Sequence, residues 1–352
     1  VASELVAAGA LSSAKAEQYS QGGFLETQVD GITVLSINTL VYSSNHKPPQ
    51  PSPEDPFGQF AWLRERLGEA RRKKQAVLIE GHIPPGVEIY GFTELWQPKY
   101  VRTYLGIVQD PSLGSCIIAQ LFAHLHADEF RLLPDAPIGA GPMLLSGAVS
   151  PYFGNNPSFR VVEYNPSTGK LLNIKVYAAD LATKGESLEW KFSYDFIGSY
   201  PSLHRAVALS DGFTHSAFGS FAQALEQSWL NVGNEWLTYV QMFKQRRVEQ
   251  NVLLCFTSPN DGMTEPNQLT MWKMFQRYKC TLTVVSADDF EACARGGASS
   301  DVNILALLGD SHAVSRGRDA LMAWRAQAGP EAERALREQC ASLLRRVTSE
   351  TR

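Results

Sequence analysis

Apolar residues arrive along the chain in two rhythms. Three short runs, Ile32 to Ile37, Ala76 to Ile79 and Cys116 to Phe122, are almost continuous. That is the pattern of strands buried on both faces of a parallel sheet. Between them lie two stretches of helical spacing. From about Asp55 to Arg72, Phe60, Leu63 and Leu67 recur at i, i+3 and i+7. The basic end Arg71-Arg72-Lys73-Lys74 suits the helix dipole. Leu95 to Val108 reads as a second helix. Strand, helix, strand, helix, strand predicts a parallel-leaning α/β sheet. Upstream, residues 1–20 are helix-compatible and are ended by Gly22-Gly23. Phe24 to Val29 reads as a short strand that turns at Asp30-Gly31.

After the third run the period changes to two. Met143 to Ala148, Phe159 to Tyr164 and Leu171 to Tyr177 alternate, with Asn165-Pro166-Ser167-Thr168-Gly169 between the last two. This predicts an antiparallel hairpin and its neighbour. From about residue 184 helical spacing dominates 216–247 and 318–347. Three further runs, Val252–Phe256, Thr281–Val285 and Ile304–Leu308, fit strands or buried helical turns equally. The expected division is an α/β portion over 1–183 and a mainly α-helical domain over 184–352.

Composition narrows the classes. The 352 residues are 44% apolar and 19% charged, enough for a packed core and against wholesale disorder. With 32 basic against 36 acidic residues, a net of −4, and no basic block, no nucleic-acid binding is expected. No run approaches the length of a spanning helix. The start Val1-Ala2-Ser3-Glu4 has neither Met nor a leader pattern, so the numbering is expected to begin inside a longer protein. Of five cysteines, none forms a CxxC pair, which excludes a zinc ribbon. Cys116 reads as a buried free thiol. Cys255, Cys280, Cys293 and Cys340 could pair in an oxidising compartment, with connectivity unreadable from spacing.

Candidate chemistry lies in the histidines. Two of the apolar runs lead into them: Glu80-Gly81-His82-Ile83-Pro84-Pro85-Gly86, and Ala123-His124-Leu125-His126-Ala127-Asp128-Glu129-Phe130. In open α/β sheets ligands bind beyond the carboxyl ends of the strands. If the second segment is extended, His124 and His126 point to one side with Cα atoms roughly 6.5–7 Å apart. Pro84-Pro85 stiffens the first loop, and Gly81 lets it turn sharply. Three imidazoles are by themselves a catalytic zinc donor set. Asp128 and Glu129 read either as acceptors for the rings or as solvated residues. Trp62, Trp96 and Phe122 read as packing, with Trp96 alternatively in a substrate cleft. Arg160 and His204 receive no assignment.

GHIPPG followed by AHLHADEF resembles the last two motifs of the calcineurin-like metallophosphoesterases, and more narrowly their acid sphingomyelinase-like phosphodiesterase branch. Gly22-Gly23-Phe24, Val34 to Thr39, Asp55 to Leu63 and Ser150 to Arg160 are similar to that branch too, so the resemblance spans about residues 20–180. It implies a partial metallophosphoesterase α/β/β/α sandwich over 1–183 with its N-terminal half absent. It implies two divalent metal ions, zinc in this branch, with His82 and His124 on the second and His126 on the first. The implied activity is phosphodiester hydrolysis of a lipid head group, sphingomyelin-like, or of a nucleotide. The implied location is secreted or endolysosomal, with transient contact to a membrane surface.

Ala123 stands where the family has Gly, which requires a negative φ there. The family's Asp-x-His, Gly-Asp and Gly-Asn-His motifs do not precede residue 20. The bridging carboxylate and the proton-donating histidine are therefore expected from elsewhere, in the same gene or a second chain. No catalytic residue is assigned in this chain, the substrate-binding residues are unknown, and the chain alone is expected to be inactive. Asn45-His46 mimics the third motif but lacks its preceding Gly and follows the Asn38-Thr39 strand end, and Asp310-Ser311-His312 mimics the first but reads as a helix N-cap. Two alternatives stay open: an endopolyphosphatase-like hydrolase, from the strand Ser36 to Tyr42, and a non-catalytic binding module with vestigial histidines.

Overall fold

A computed structural model describes residues 1–47, 52–88, 92–152, 155–181, 188–230, 279–283 and 286–296, together with residues 235, 238, 239 and 242. Within them the chain builds a six-stranded mixed sheet and a three-stranded antiparallel sheet.

Two short helices, α1 (Ala2–Ala7) and α2 (Ser13–Gly22), open the chain, and α2 stops at Gly23, whose φ of 77° makes a left-handed cap. Strand β1 (Leu25–Val29) pairs antiparallel with β2 (Ile32–Ser36). Asp30 and Gly31, both at positive φ, form the tight turn between them. Strands β3 (Val77–Glu80) and β4 (Ile117–Phe122) follow β2 in parallel. Strand β6 (Met143–Leu145) continues the parallel run beside β4, and β5 (Glu129–Arg131) closes the edge antiparallel to β6.

Helices α3 (Gln59–Lys73) and α4 (Pro98–Val108) cover one face of this sheet. Leu35, Val77, Ile79, Ile117, Met143 and Leu145 pack there against Phe60, Leu63, Leu67, Tyr100 and Tyr104. A four-residue helix, α5 (Pro111–Gly114), leads into β4. The helix expected from Leu95 starts three residues later. Trp96 is fully buried and bridges to Ser43, and Pro98 takes the first helical turn, where its missing N–H costs nothing.

The opposite face carries a second core. Ala119, Phe130 and Leu144 meet Leu171, Ile174 and Val176 of β8 (Leu171–Ala178) and Tyr194 of β9 (Lys191–Asp195). Helices α6 (Phe196–Ser199), α7 (Pro201–Ser210) and α8 (His215–Leu230) complete it.

The expected hairpin is β7 (Ser158–Tyr164) with β8. Its neighbour is β9, not the 143–148 segment. All three residues of β6 are buried, so that strand belongs inside the large sheet. Strand β9 and helix α7 lie beyond residue 184 and share a core with β8. Helix α9 (Ala287–Gly296) is stapled to the preceding segment by a Cys280–Cys293 disulfide. Cys116 is a buried free thiol. The runs 252–256 and 304–308, the 318–347 helical pattern, Cys255, Cys340 and Asp310-Ser311-His312 lie outside the described residues. No helix among those described is long and apolar enough to cross a membrane.

Candidate metal-binding rim

Strands β3 and β4 are parallel neighbours, so the loops leaving their carboxyl ends emerge side by side. The first loop is held along its whole length. The Gly81 N–H donates to Leu121 O at 3.0 Å. A Cβ at Gly81 would lie 2.7 Å from Thr39 Cγ2 and 2.9 Å from Phe122 Cε1. Glycine is required there by close packing, not by a left-handed turn. The Ile83 N–H donates to Thr39 Oγ1 at 2.8 Å, and the Trp96 indole N–H donates to Ile83 O at 3.0 Å. Trp96 is thus a core residue that anchors the loop, as the packing reading expected. Pro84 and Pro85 are buried, and Pro85 O accepts from Arg131 Nη1 at 2.8 Å. His82 is exposed at the rim.

The second loop is tied to the first where it begins, by the Ala123 N–H donating to His82 O at 3.0 Å. Ala123 is not among the residues of positive φ, which removes the conflict with the family's glycine. The segment is not extended. His124 has φ 73° and His126 φ 52°, so the backbone curls at both. The curl brings His124 Nδ1 to 3.2 Å from His82 Nε2, with ring planes 79° apart and centroids 5.0 Å apart. Partial burial, with the His82 and His126 imidazoles adding to it, holds His124 below the ordinary histidine value. The structure therefore juxtaposes His82 and His124 and puts His126 within electrostatic reach of His124.

Asp128 and Glu129 are buried and paired, so the solvated reading of them is overturned. Asp128 Oδ1 accepts from the Gly147 N–H at 2.8 Å and from Arg160 Nε and Nη2 at 3.1 and 2.8 Å. Its Oδ2 accepts from the Tyr194 hydroxyl at 2.9 Å. Burial, with the Asp128 charge next, pushes the Tyr194 phenol well above its usual value. Glu129 Oε1 accepts from Arg131 Nε at 2.9 Å. Arg131 escaped the sequence reading, although Glu129 and Arg131 at i, i+2 on a strand signal a same-side pair. Asn45 and His46 are exposed in a turn.

Two converging imidazole nitrogens 3.2 Å apart are close to the ~3.4 Å edge of a tetrahedron with zinc–nitrogen bonds of about 2.0–2.1 Å. The lowered pKa favours the neutral His124 imidazole, the form that can donate a lone pair. His82 and His124 thus fit two positions of one borderline-soft ion. Among the described residues, no group of three or more His, Cys, Asp or Glu side chains is placed to hold an ion together. The rim supplies donors but not a complete coordination shell.

No family model matches the chain. Among curated proteins, it is 32% identical over 188 residues to sphingomyelinase phosphodiesterase D of Dictyostelium discoideum, covering 51% of this chain and 42% of that protein. It is 29% identical over 215 residues to acid sphingomyelinase-like phosphodiesterase 3b of Mus musculus, covering 54% and 46%. It is 28% identical over 201 residues to cyclic GMP-AMP phosphodiesterase SMPDL3A of Homo sapiens, covering 51% and 42%. The matches thus span less than half the length of these relatives. Over about half of its own length, the chain is homologous to acid sphingomyelinase-like phosphodiesterases.

Proposed function

We propose that this chain is part of a metal-dependent phosphodiesterase, contributing His82 and His124 to one divalent ion and His126 to a second. The observation that carries the proposal is the 3.2 Å approach of His124 Nδ1 to His82 Nε2 beyond the carboxyl ends of adjacent parallel strands. In this reading residues 1–183 form part of a metallophosphoesterase sandwich. The β9 strand and later helices pack on it.

When bound, such ions polarise a phosphoryl oxygen and generate a nucleophile from water. The chain's own residues hold and orient. Thr39, Trp96 and Arg131 fix the His82 loop, and Arg160 and Tyr194 fix Asp128 beside His126. The remaining ligands, a bridging carboxylate among them, come from a further segment of the same protein or from a second chain. The substrate class is a phosphodiester, either a lipid head group met at a membrane surface or a nucleotide. The relatives' names carry both, sphingomyelin and cyclic GMP-AMP. The Cys280–Cys293 disulfide supports an oxidising location, secreted or endolysosomal.

The incomplete donor group among the described residues favours a second reading, a non-catalytic module. Zinc content separates the two. The longer protein should carry about two zinc equivalents and hydrolyse bis-p-nitrophenyl phosphate, with His124→Ala abolishing turnover. This chain alone should bind zinc weakly and turn nothing over. A longer protein without zinc and without hydrolysis would establish the module.

A further inference from the structure

We propose that Arg131 is a positioning residue of the metal-binding rim, a buried clamp that holds the His82 and His124 rings at ligand spacing before any ion arrives. The inference rests on the metal reading of the two histidines.

The two histidine loops are joined at their near end by the Ala123 N–H and the His82 carbonyl. Thr39 and Trp96 anchor the first loop to its own surroundings, and Arg160 and Tyr194 anchor the second, but these bonds do not join the loops to each other away from the near end. Arg131 closes the far end. Its strand, β5, begins three residues after His126. Its Nη1 reaches back across the sequence to Pro85 O at 2.8 Å, while Nε is held by Glu129 at 2.9 Å. With both ends tied, the loops form a closed frame whose spacing no longer depends on loop flexibility.

Stability alone does not explain the arrangement. Arg131 and the Glu129 side chain are wholly buried, and a buried ion pair is often no more stabilising than apolar residues of the same volume. What the guanidinium supplies is a rigid planar fork that can grip a carboxylate and a carbonyl at once; a lysine ammonium cannot do both in fixed geometry. The strand is also braced from outside. The Leu132 N–H donates to Leu282 O, and the disulfide-linked Cys280 packs against Val87 just after the His82 loop. Groups that orient metal ligands from behind commonly change affinity by about 10–100-fold when removed.

The test is zinc titration of the full chain by calorimetry. Arg131→Lys keeps a positive charge for Glu129 and loses the fork. It should weaken zinc binding about tenfold or more. Leu67→Ala, a core truncation in α3, should lower the melting temperature and leave zinc affinity unchanged. If Arg131→Lys does not fold, the charge-free pair Glu129→Gln with Arg131→Met replaces it, with the same loss expected. Binding by the folded variant within twofold of the unsubstituted chain overturns the proposal. If the unsubstituted chain binds no zinc, the metal reading itself fails, a distinguishable result that removes this inference with it.

Discussion

The Tyr194 hydroxyl donates to Oδ2 of Asp128 at 2.9 Å, joining the last strand of the small sheet to the loop that carries His124 and His126. Arg160, from the opposite strand of that sheet, grips the other carboxylate oxygen. The small sheet therefore sets the position of the histidine loop, although it contributes no candidate ligand.

This network should be expensive to break. Asp128→Ala leaves a mostly buried guanidinium without its carboxylate and should destabilise the fold by about 3–5 kcal/mol. Tyr194→Phe removes one hydrogen bond to a charged group and should cost about 1.5–3 kcal/mol. Urea unfolding of the two single variants and the double variant measures both and their coupling. A loss below about 1 kcal/mol for Asp128→Ala would show that Arg160 finds another partner.

The Cys280–Cys293 bridge closes a segment with a sequence separation of 13. A loop of that size contributes about 3 kcal/mol by restricting the unfolded chain. Phe290 of α9 packs with Cys280 and Val87, so reduction should loosen α9 and the stretch after the His82 loop first. Hydrogen exchange with and without reductant reads this directly. Equal exchange of residues 87, 88, 92–95 and 287–296 in both conditions would contradict it.

Burial raises the Cys116 thiol from 9.0 to about 11, outweighing the opposing Arg71 charge. The folded chain should resist alkylation at Cys116 at pH 8, whereas the urea-unfolded chain should react at once. The linkage has a definite sign. A raised folded-state pKa contributes stability that is complete below pH 9 and is lost as pH climbs towards 11. A Cys116→Ser variant should lose that part of the alkaline decline.

His215, the first residue of α8, is shifted the other way. Desolvation lowers its pKa, against the raising effect of a hydrogen bond that the ring donates to the Leu133 backbone carbonyl. The unfolded chain therefore takes up the proton more readily. Stability is full above the ordinary histidine value of 6.5 and falls as pH drops below it. Melting temperatures between pH 7.5 and pH 5 should decline less steeply in His215→Gln than in the unsubstituted chain.

Much of the sheet could be read directly from the residues. Strands β2, β3 and β4 stand out because burial on both faces demands continuous apolar runs, and α3 because its stripe is regular. Strand β5 hid itself: two of its three residues are charged, and their burial as a pair reverses the usual polarity rule. Strand β6 is too short for period two to mean anything, and its three buried residues could be placed only once the partner strands were known. The histidines could be found from their motifs. Their spacing is not legible there, because alternation assumes extended backbone and nothing in Ala123-His124-Leu125-His126 announces left-handed curls at non-glycine residues. Arg160 and the reach of Arg131 to Pro85 are hidden for a related reason, since those partners come from distant parts of the chain.

The curled backbone at His124 and His126 bears on protein engineering. Copied into a straight strand of another scaffold, the same residues would carry over their side chains without their convergence. The transplantable unit is the bent segment from Ala123 through Asp128 together with its Arg160 anchor, and any scaffold lacking that anchor would need to supply its own reason for the chain to bend.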